Sequence, residues 1–252
     1  MNLLYQAIAV VQDFTLLSLR AATNVFRRPR YIRDTFVQMD VIGVGSLTII
    51  VLTGFFTGAV LALQTADSLK KFGAVGITGQ LVALTLIKEL GPVLTALMLA
   101  GRIGSGIASE LGSMVVTEQI SAMRALGTDP TKKLVTPRVL SSTLMTPLLV
   151  IVADVCGLIG GWLVAFMMLR LSTTLYWATA MRSVDYNLIT EGLLKPFVFG
   201  FIVAIVGCFC GLRTHGGTRG VGRSTTQAVV AASILVIVAD YFLSYIFVNV
   251  DL

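Results

Sequence analysis

Five long apolar stretches dominate this sequence, at about residues 41–66, 79–112, 134–169, 191–212 and 225–250. Each stretch is as long as, or longer than, the roughly 20 residues that an α-helix needs to cross a bilayer. Adjacent apolar segments in lipid must satisfy their backbone hydrogen bonds internally, which favours helices. Charged residues make up only 13% of the chain, against about 25% in globular domains. The sequence therefore predicts an all-α membrane protein with five transmembrane helices.

The first 40 residues have a different pattern. As a helix, they place their polar residues on one seam, which comprises Asn2, Gln6, Asp13, Arg20, Asn24 and Arg27. Arg28, Arg30 and Arg33 follow. This pattern predicts an amphipathic helix in the membrane surface, whose arginines meet anionic headgroups. A soluble helix packed on a partner is the alternative. A signal peptide is disfavoured, because no positive residue precedes the apolar part.

The distribution of Lys and Arg predicts the orientation in the membrane. If the N-terminus is cytoplasmic, twelve of these residues lie in cytoplasmic segments and four lie in the opposite loops. The twelve are Arg20, Arg27, Arg28, Arg30, Arg33, Arg124, Lys132, Lys133, Arg138, Arg213, Arg219 and Arg223, and the four are Lys70, Lys71, Arg170 and Arg182. Because cytoplasmic loops carry the excess of positive charge, we expect a cytoplasmic N-terminus and a C-terminus on the other face.

Several charged residues fall inside the predicted spans, namely Lys88, Glu89, Asp154, Lys195 and Asp240. A charge there costs a few kcal/mol, so each is a candidate functional residue. Lys88 and Glu89 are neighbours that point about 100° apart on a helix and cannot simply neutralise one another. Pairing between helices, for example Glu89 with Lys195, is the purely structural alternative. An ion- or solute-coupled secondary carrier that uses Glu89, Lys195 and Asp240 as a relay is the alternative function, although no internal repeat supports it.

The second apolar stretch combines a proline kink with rows of small residues. Pro92 has no N–H to donate to the carbonyl of Lys88, so the helix is expected to bend there. Beyond the bend, one row of small residues comprises Ala100, Gly104, Ala108 and Gly112, and a second comprises Gly101, Ser105, Ser109 and Ser113. In lipid, such rows allow helices to approach closely. We expect them to pack, either within the subunit or between two copies.

The segment 117–126, TEQISAMRAL, predicts a short amphipathic helix that ends before Gly127 and Asp129-Pro130. Val116, Ile120 and Met123 share its apolar face, and Glu118, Gln119 and Arg124 are polar. It lies between the second and third spans, so we expect it outside the bilayer. A merely solvated loop helix is the alternative.

Neither an enzyme nor a cofactor site is indicated. The stretch 217–224, GTRGVGRS, resembles a phosphate-binding loop, but it has Arg where Lys belongs and follows a membrane span; a flexible basic turn is the better interpretation. His215 is the only histidine, and no nucleophile pairs with it. Cys156, Cys208 and Cys210 lie in apolar runs, which is typical of buried thiols. We predict no catalytic residues, no metal, no cofactor and no nucleic-acid partner.

The block from Glu89 to Pro130, ELGPVLTALMLAGRIGSGIASELGSMVVTEQISAMRALGTDP, resembles the signature block of MlaE/YrbE-type permeases. These are the membrane subunits of ABC systems that move phospholipid between bacterial membranes, and the resemblance continues more thinly from Gly43 to the C-terminus. It implies a permease domain over residues 41–252 in the inner membrane, with its C-terminus in the periplasm. It also implies a homodimer, a separate cytoplasmic ATPase subunit that hydrolyses ATP, and a periplasmic MCE-domain protein.

The resemblance also implies roles for particular residues. Glu89, Lys195 and Asp240 match positions around a lipid-binding cavity formed by the paired subunits, and Lys88 is their charged neighbour. Leu61, Leu69 and Phe72 match the mouth of that cavity. The 117–126 segment matches the coupling helix, which contacts the ATPase; its candidate contact residues are Glu118, Gln119, Ile120, Met123 and Arg124.

Overall fold

The computed structural model describes residues 2–25 and 31–250. Within them the chain forms ten α-helices and no strand. The helices are α1 (Asn2–Asn24), α2 (Ile32–Lys70), α3 (Thr78–Thr85), α4 (Gly91–Leu99), α5 (Ser105–Val116), α6 (Gln119–Ala125), α7 (Thr136–Leu169), α8 (Thr173–Arg182), α9 (Tyr186–Leu212) and α10 (Gly217–Val250). A short 3₁₀ turn, Val75–Ile77, precedes α3, and π-helical turns at Leu86–Leu90, Ala100–Gly104 and Thr131–Val135 precede α4, α5 and α7.

Five helical stretches of the described chain are long and apolar enough to cross a membrane. They are Ile32–Lys70, Val75–Val116, Thr131–Leu169, Tyr186–Leu212 and Gly217–Asn249. The predicted fold class, an all-α membrane protein with five spanning helices, is therefore confirmed. The predicted N-terminal amphipathic helix falls on α1, where Ile8, Val11 and Leu19 are largely exposed. The side chains of Asn2 and Gln6, and all of Arg27, Arg28 and Arg30, lie outside the described residues.

Contacts divide the chain into two compact units, each made from three segments. Unit 1 comprises Met1–Val44, Leu99–Leu144 and Gly200–Leu235. Unit 2 comprises Gly45–Met98, Met145–Phe199 and Val236–Leu252. The predicted coupling helix belongs to unit 1, and the five charged residues singled out as candidates, Lys88, Glu89, Asp154, Lys195 and Asp240, belong to unit 2.

In unit 1, the small residues of α5 and of the preceding π turn pack against α9. A Cβ atom at Gly207 would lie 2.9 Å from the carbonyl oxygen of Gly104, and one at Gly211 would lie 3.0 Å from that of Ala108. The four residues of the first predicted row, Ala100, Gly104, Ala108 and Gly112, are all buried. In the second row, Gly101, Ser109 and Ser113 are exposed and Ser105 is half-buried. The first row therefore packs within the chain.

In unit 2, helices α2 and α7 approach until their backbones touch. A Cβ atom at Gly58 would lie 1.8 Å from the carbonyl oxygen of Gly157, and one at Gly160 would lie 2.1 Å from that of Phe55. The same contact continues at Gly54, whose Cβ would lie 2.5 Å from the carbonyl oxygen of Ala153. No side chain other than hydrogen fits at these positions, so glycine is what allows this pair of helices to pack.

Within unit 2, one buried tyrosine of α8 contacts α7. Tyr176 is 1% exposed, and its hydroxyl donates a hydrogen bond to the carbonyl oxygen of Leu158, 3.2 Å away. Burial raises the pKa of Tyr176, so this hydroxyl remains a neutral donor at physiological pH. Gly161 leaves room for the ring, because a Cβ there would lie 2.6 Å from the tyrosine oxygen.

The GTRGVGRS stretch is helical, which corrects the expectation of a flexible basic turn. Helix α10 begins at Gly217, so only residues 213–216, including His215, form the irregular connection to α9. The carbonyl of His215 packs against Gly220, where a Cβ atom would lie 1.9 Å from its oxygen. Gly217, Gly220 and Gly222 therefore lie in the first turns of α10, where Gly220 leaves room for the carbonyl of His215.

Candidate functional site

A fully buried lysine forms the centre of the candidate site in unit 2. Lys195 lies on α9 with 0% of its side chain exposed. Its ammonium group donates three hydrogen bonds, to Glu89 Oε2 at 2.9 Å, to Ser244 Oγ at 2.8 Å and to the carbonyl oxygen of Lys88 at 3.1 Å. A lysine ammonium has three N–H donors, so all of them are used.

Asp240 Oδ1 lies 3.2 Å from the same ammonium nitrogen but makes no hydrogen bond among the described residues. Because the three donors of Lys195 already have acceptors, Asp240 stabilises the ammonium through charge alone. The side chain of Asp240 is 20% exposed and that of Glu89 is 36% exposed. The two carboxylates are therefore reachable from outside the protein, whereas the ammonium is not.

Pro92 explains why a backbone carbonyl is available to Lys195. In a regular α-helix the N–H of residue 92 would bond the carbonyl of residue 88, and proline has none. The chain forms a π turn at Leu86–Leu90 just before the proline, and the freed carbonyl of Lys88 accepts from Lys195. The predicted interruption at Gly91-Pro92 thus supplies one ligand of the buried charge.

Lys88 and Glu89 point to different partners, as expected for helix neighbours. The Lys88 ammonium pairs with Glu191 Oε2 at 3.1 Å, and the Glu191 side chain is only 6% exposed. The cluster therefore holds two ammonium groups and three carboxylates, a formal charge of −1. Interhelical pairing of Glu89 with Lys195 is present, and it is compatible with a binding role for the same residues.

Sequence reasoning missed two members of this cluster, Glu191 and Ser244. Ser244 Oγ also donates to Glu89 Oε1 at 3.3 Å. Both residues carried a signal: Ser244 follows Asp240 by one helical turn, and Glu191 precedes Lys195 by one helical turn, so each shares a face with a charged residue already singled out.

The three apolar residues predicted at the cavity mouth, Leu61, Leu69 and Phe72, do not line one common groove. Leu61 lines an open groove of about 330 Å³ together with Phe56, Thr57, Val60, Gln64 and Leu90. Leu90 directly follows Glu89, which brings this groove beside the charged cluster. Leu69 is half-buried, and Phe72, beyond the end of α2, is 82% exposed. The contacts among described residues do not join either of these two to Lys195.

Asp154 is the last of the five charged candidates, and it is not part of the Lys195 cluster. Its Oδ1 atom is buried and has no hydrogen-bond partner among the described residues. It packs against Gly91, where a Cβ atom would lie 1.8 Å from that oxygen. Gly91 is therefore required to accommodate the carboxyl group.

In unit 1, the five candidate contact residues on and before α6 do not all share one surface. Glu118, Gln119 and Arg124 are exposed, Met123 is half-buried, and Ile120 is 5% exposed. Leu126, which sequence reasoning did not select, is 83% exposed. Ile120 holds α6 to its own chain, and the exposed side chains of the segment include the three polar candidates, Leu126, and the small residues Ser121, Ala122 and Ala125.

Comparison with known proteins agrees with the signature block. Residues 35–246 match the family model described as permease MlaE. A probable ABC transporter permease protein of Rickettsia felis is 41% identical over 240 residues, which cover 95% of this chain and 93% of that protein. The intermembrane phospholipid transport system permease protein MlaE of Haemophilus influenzae is 38% identical over 210 residues, 83% of this chain and 80% of that protein.

A plant relative is also similar. The chloroplastic protein TRIGALACTOSYLDIACYLGLYCEROL 1 of Arabidopsis thaliana is 36% identical over 215 residues, which cover 85% of this chain and 61% of that protein. The matched family model spans most of the chain, including all the charged residues of the Lys195 cluster. This chain belongs to the MlaE permease family.

Proposed function

We propose that this protein is the membrane-spanning subunit of an ABC-type transporter that moves phospholipid between the inner and outer membranes. A separate ATPase subunit supplies the energy. Membership of the MlaE permease family supports this role, as does similarity to the intermembrane phospholipid transport system permease protein of Haemophilus influenzae. The chain resides in the bacterial inner membrane, and its excess of Lys and Arg in the segments on the N-terminal side supports a cytoplasmic N-terminus and a periplasmic C-terminus.

The observation that carries the proposal is the buried Lys195 ammonium with its two reachable carboxylates. A phosphate group is a stronger acceptor for an ammonium than a neutral oxygen, because the hydrogen bond is charge-assisted. It can bind Lys195 only if Glu89 or Ser244 gives up its hydrogen bond. Headgroup binding is therefore coupled to a rearrangement of Glu89, in the π turn before α4, or of Ser244 on α10. The groove lined by Leu61 and Leu90 offers an apolar surface for acyl chains.

In this proposal, α6 transmits the energy of ATP hydrolysis from the ATPase to the permease. Glu118, Gln119, Arg124 and Leu126 are exposed on and beside α6, a surface that suits a contact with a cytoplasmic ATPase. Ile120 and Met123 contribute indirectly, by holding α6 to the permease.

Two further partners complete the assembly. A second copy of the chain packs along the open row of Gly101, Ser105, Ser109 and Ser113, where glycine and serine allow close approach. A periplasmic MCE-domain protein meets the outer end of α2 near the exposed Phe72.

The lipid site is tested by Lys195→Gln in proteoliposomes that contain the permease, its ATPase and a labelled phospholipid. We expect ATP-dependent transfer to be lost while the ATPase still co-purifies. Lys71→Gln, which changes an exposed loop lysine, is the matched control and should transfer lipid normally. Normal transfer by Lys195→Gln would refute the lipid role of this lysine. Transfer that depends on an ion gradient instead of ATP would point to a secondary carrier.

The ATPase contact is tested by Glu118→Arg. A reversed charge in a partly desolvated contact costs about 2–5 kcal/mol where the original charge is paired, so the ATPase should be lost on purification. Insertion into the membrane and dimer formation should persist, because α6 lies outside the five stretches that are long and apolar enough to span the membrane. Lys132→Glu is the control. If Glu118→Arg retains the ATPase, the contact lies elsewhere, and residues 213–224 are the next candidate.

A further inference from the structure

We propose that the ion pair between Glu110 and Arg138 is a positioning clasp that holds α6 in the orientation in which it contacts the ATPase. The role of α6 rests on the proposed function; the clasp itself is inferred from the geometry of unit 1. Neither residue touches the Lys195 cluster, which belongs to unit 2. Glu110 and Arg138 are thus positioning residues and take no part in lipid binding.

The pair joins the two helices that flank α6 along the chain. Arg138 Nη2 on α7 lies 2.7 Å from Glu110 Oε1 on α5. The second guanidinium nitrogen, Nη1, donates to the carbonyl oxygen of Leu134 at 2.7 Å, within the π turn Thr131–Val135. One side chain therefore connects α5, the π turn and α7, and so fixes both ends of the segment that contains α6.

Besides the buried Ile120 and the half-buried Met123, the α6 segment has little means of holding its own orientation. With seven residues, α6 is far shorter than the roughly 12–15 residues at which isolated helices become even marginally stable. Its two ends turn through left-handed residues, Glu118 with φ 58° and Gly127 with φ 75°. Asp129 Oδ1 accepts from the N–H of Thr131 at 2.9 Å and shapes the return to α7. The direction of α6 therefore follows the positions of its flanking helices.

The burial of Arg138 indicates that the pair contributes geometry more than stability. Its side chain is 5% exposed, whereas that of Glu110 is 55% exposed. Its Nε atom is buried without a hydrogen-bond partner among the described residues. A buried ion pair can often be replaced by apolar side chains without loss of stability. What an apolar side chain lacks is the rigid fork of donors that sets a fixed distance and angle between two helices.

The test is hydrogen–deuterium exchange on the full-length permease in nanodiscs, without the ATPase. In Glu110→Gln, which removes the charge but keeps the shape of a half-exposed side chain, we expect the amides of residues 119–126 to exchange about tenfold faster or more, the factor that follows from weakening a hydrogen bond to a charged group. The amides of the spanning helices should be unchanged. Binding of the ATPase should weaken by a similar factor.

The matched control is Asp13→Asn, which breaks another ion pair of unit 1. Asp13 and Arg213 are 3.4 Å apart and both are exposed, and neither flanks α6. It should leave exchange in residues 119–126 unchanged. If Glu110→Gln does not fold, Arg138→Lys replaces it: this variant keeps the charge but loses the fork, and the same selective acceleration is expected.

Two results would overturn the clasp. One is unchanged exchange in residues 119–126 in the variant that folds. The other is equal acceleration in every helix of the permease, which would mean that the pair serves overall stability. Because this measurement omits the ATPase, a clasp that fails here is distinguishable from a failure of the coupling proposal, which the Glu118→Arg co-purification decides.

Discussion

Among the described residues, each unit buries one cation, and the two units neutralise it in different ways. In unit 2, Lys195 is completely buried, has two carboxylates within 3.2 Å and uses all three of its donors. In unit 1, Arg138 has one carboxylate, whose side chain is more than half exposed, and one donor without a partner. The first cation can accept a ligand only if an existing bond breaks. The second has a partner carboxylate that already faces solvent, so only the Arg138 side of the pair is buried.

One glycine contact of each unit can be compared in the same way. In unit 2, a methyl group at Gly58 would overlap the backbone of Gly157, at 1.8 Å from its oxygen. In unit 1, a methyl group at Gly104 would lie 3.6 Å from Val203 Cγ1 and 3.9 Å from the carbonyl oxygen of Val203, which are ordinary contact distances. The difference is local, because Gly207 and Gly211 of unit 1 also lie close to the backbone of α5. Gly104 therefore has room for a methyl group that Gly58 lacks.

The largest expected difference is between the two buried cations. Lys195→Met should destabilise the permease by about 3–5 kcal/mol, because Glu89 and Asp240 lose the charge they surround. Arg138→Met should cost only about 1–2 kcal/mol, because Glu110 can be hydrated once it is released. Thermal unfolding of both variants in one detergent measures the difference. Equal losses, or a larger loss for Arg138→Met, would show that the two sites are alike.

The next largest difference concerns the glycine contacts. Gly58→Ala should cost about 1–3 kcal/mol or more, because it forces two backbones apart. Gly104→Ala should be neutral or stabilising, since a glycine within a helix costs roughly 0.5–1 kcal/mol relative to alanine and the methyl group has space. Gly104→Leu should still disrupt packing against α9. Unfolding midpoints of the three variants, with transport as a second readout, decide the order; a Gly104→Ala that unfolds as early as Gly58→Ala would contradict it.

Much of this architecture could be predicted from the sequence, because the bilayer leaves few alternatives. Apolar runs of sufficient length specify the spanning helices, and the missing N–H of Pro92 specifies a freed carbonyl. The partner of that carbonyl could not be predicted. Helix α9 is apolar on nearly every side, so its sequence does not indicate which way Lys195 points or that Glu191 faces Lys88. Rotation of a helix about its axis is fixed by packing, which sequence periodicity reports only when one face is polar.

The segment around α6 shows a second limit of prediction from sequence. Its amphipathic pattern suggested an apolar face, but a pattern does not tell whether that face meets the same chain or another. Ile120 is buried within the chain, and Leu126 is exposed although it is apolar. The resemblance of the signature block supplied the role of the segment, whereas the structure supplied which of its side chains are free to contact a partner.

A smaller effect separates the two carboxylates of the Lys195 cluster. Glu89 accepts a hydrogen bond from Lys195 and another from Ser244, so Glu89→Gln should cost about 1.5–3 kcal/mol, the range for hydrogen bonds to charged groups. Asp240 interacts through charge alone, and Asp240→Asn leaves two ammonium groups and two carboxylates in the cluster. Its cost should be the smaller of the two, because the remaining charges of the cluster then balance. The unfolding midpoints of both variants in one detergent test this order. A larger loss of stability in Asp240→Asn than in Glu89→Gln would contradict it.

The smallest expected effect lies at Glu118, the residue before α6. Its φ of 58° is left-handed, a conformation that costs roughly 1–2 kcal/mol for most residues and almost nothing for glycine. Glu118→Gly should therefore stabilise the corner by about 1 kcal/mol or less, visible as slower hydrogen exchange in residues 119–126. Glu118→Ala removes the same carboxylate but keeps the strain, so it is the matched control. If the glutamate contacts the ATPase, both variants should bind it more weakly and by the same factor. If its role is only to form the corner, Glu118→Gly should bind the ATPase at least as well as the wild type.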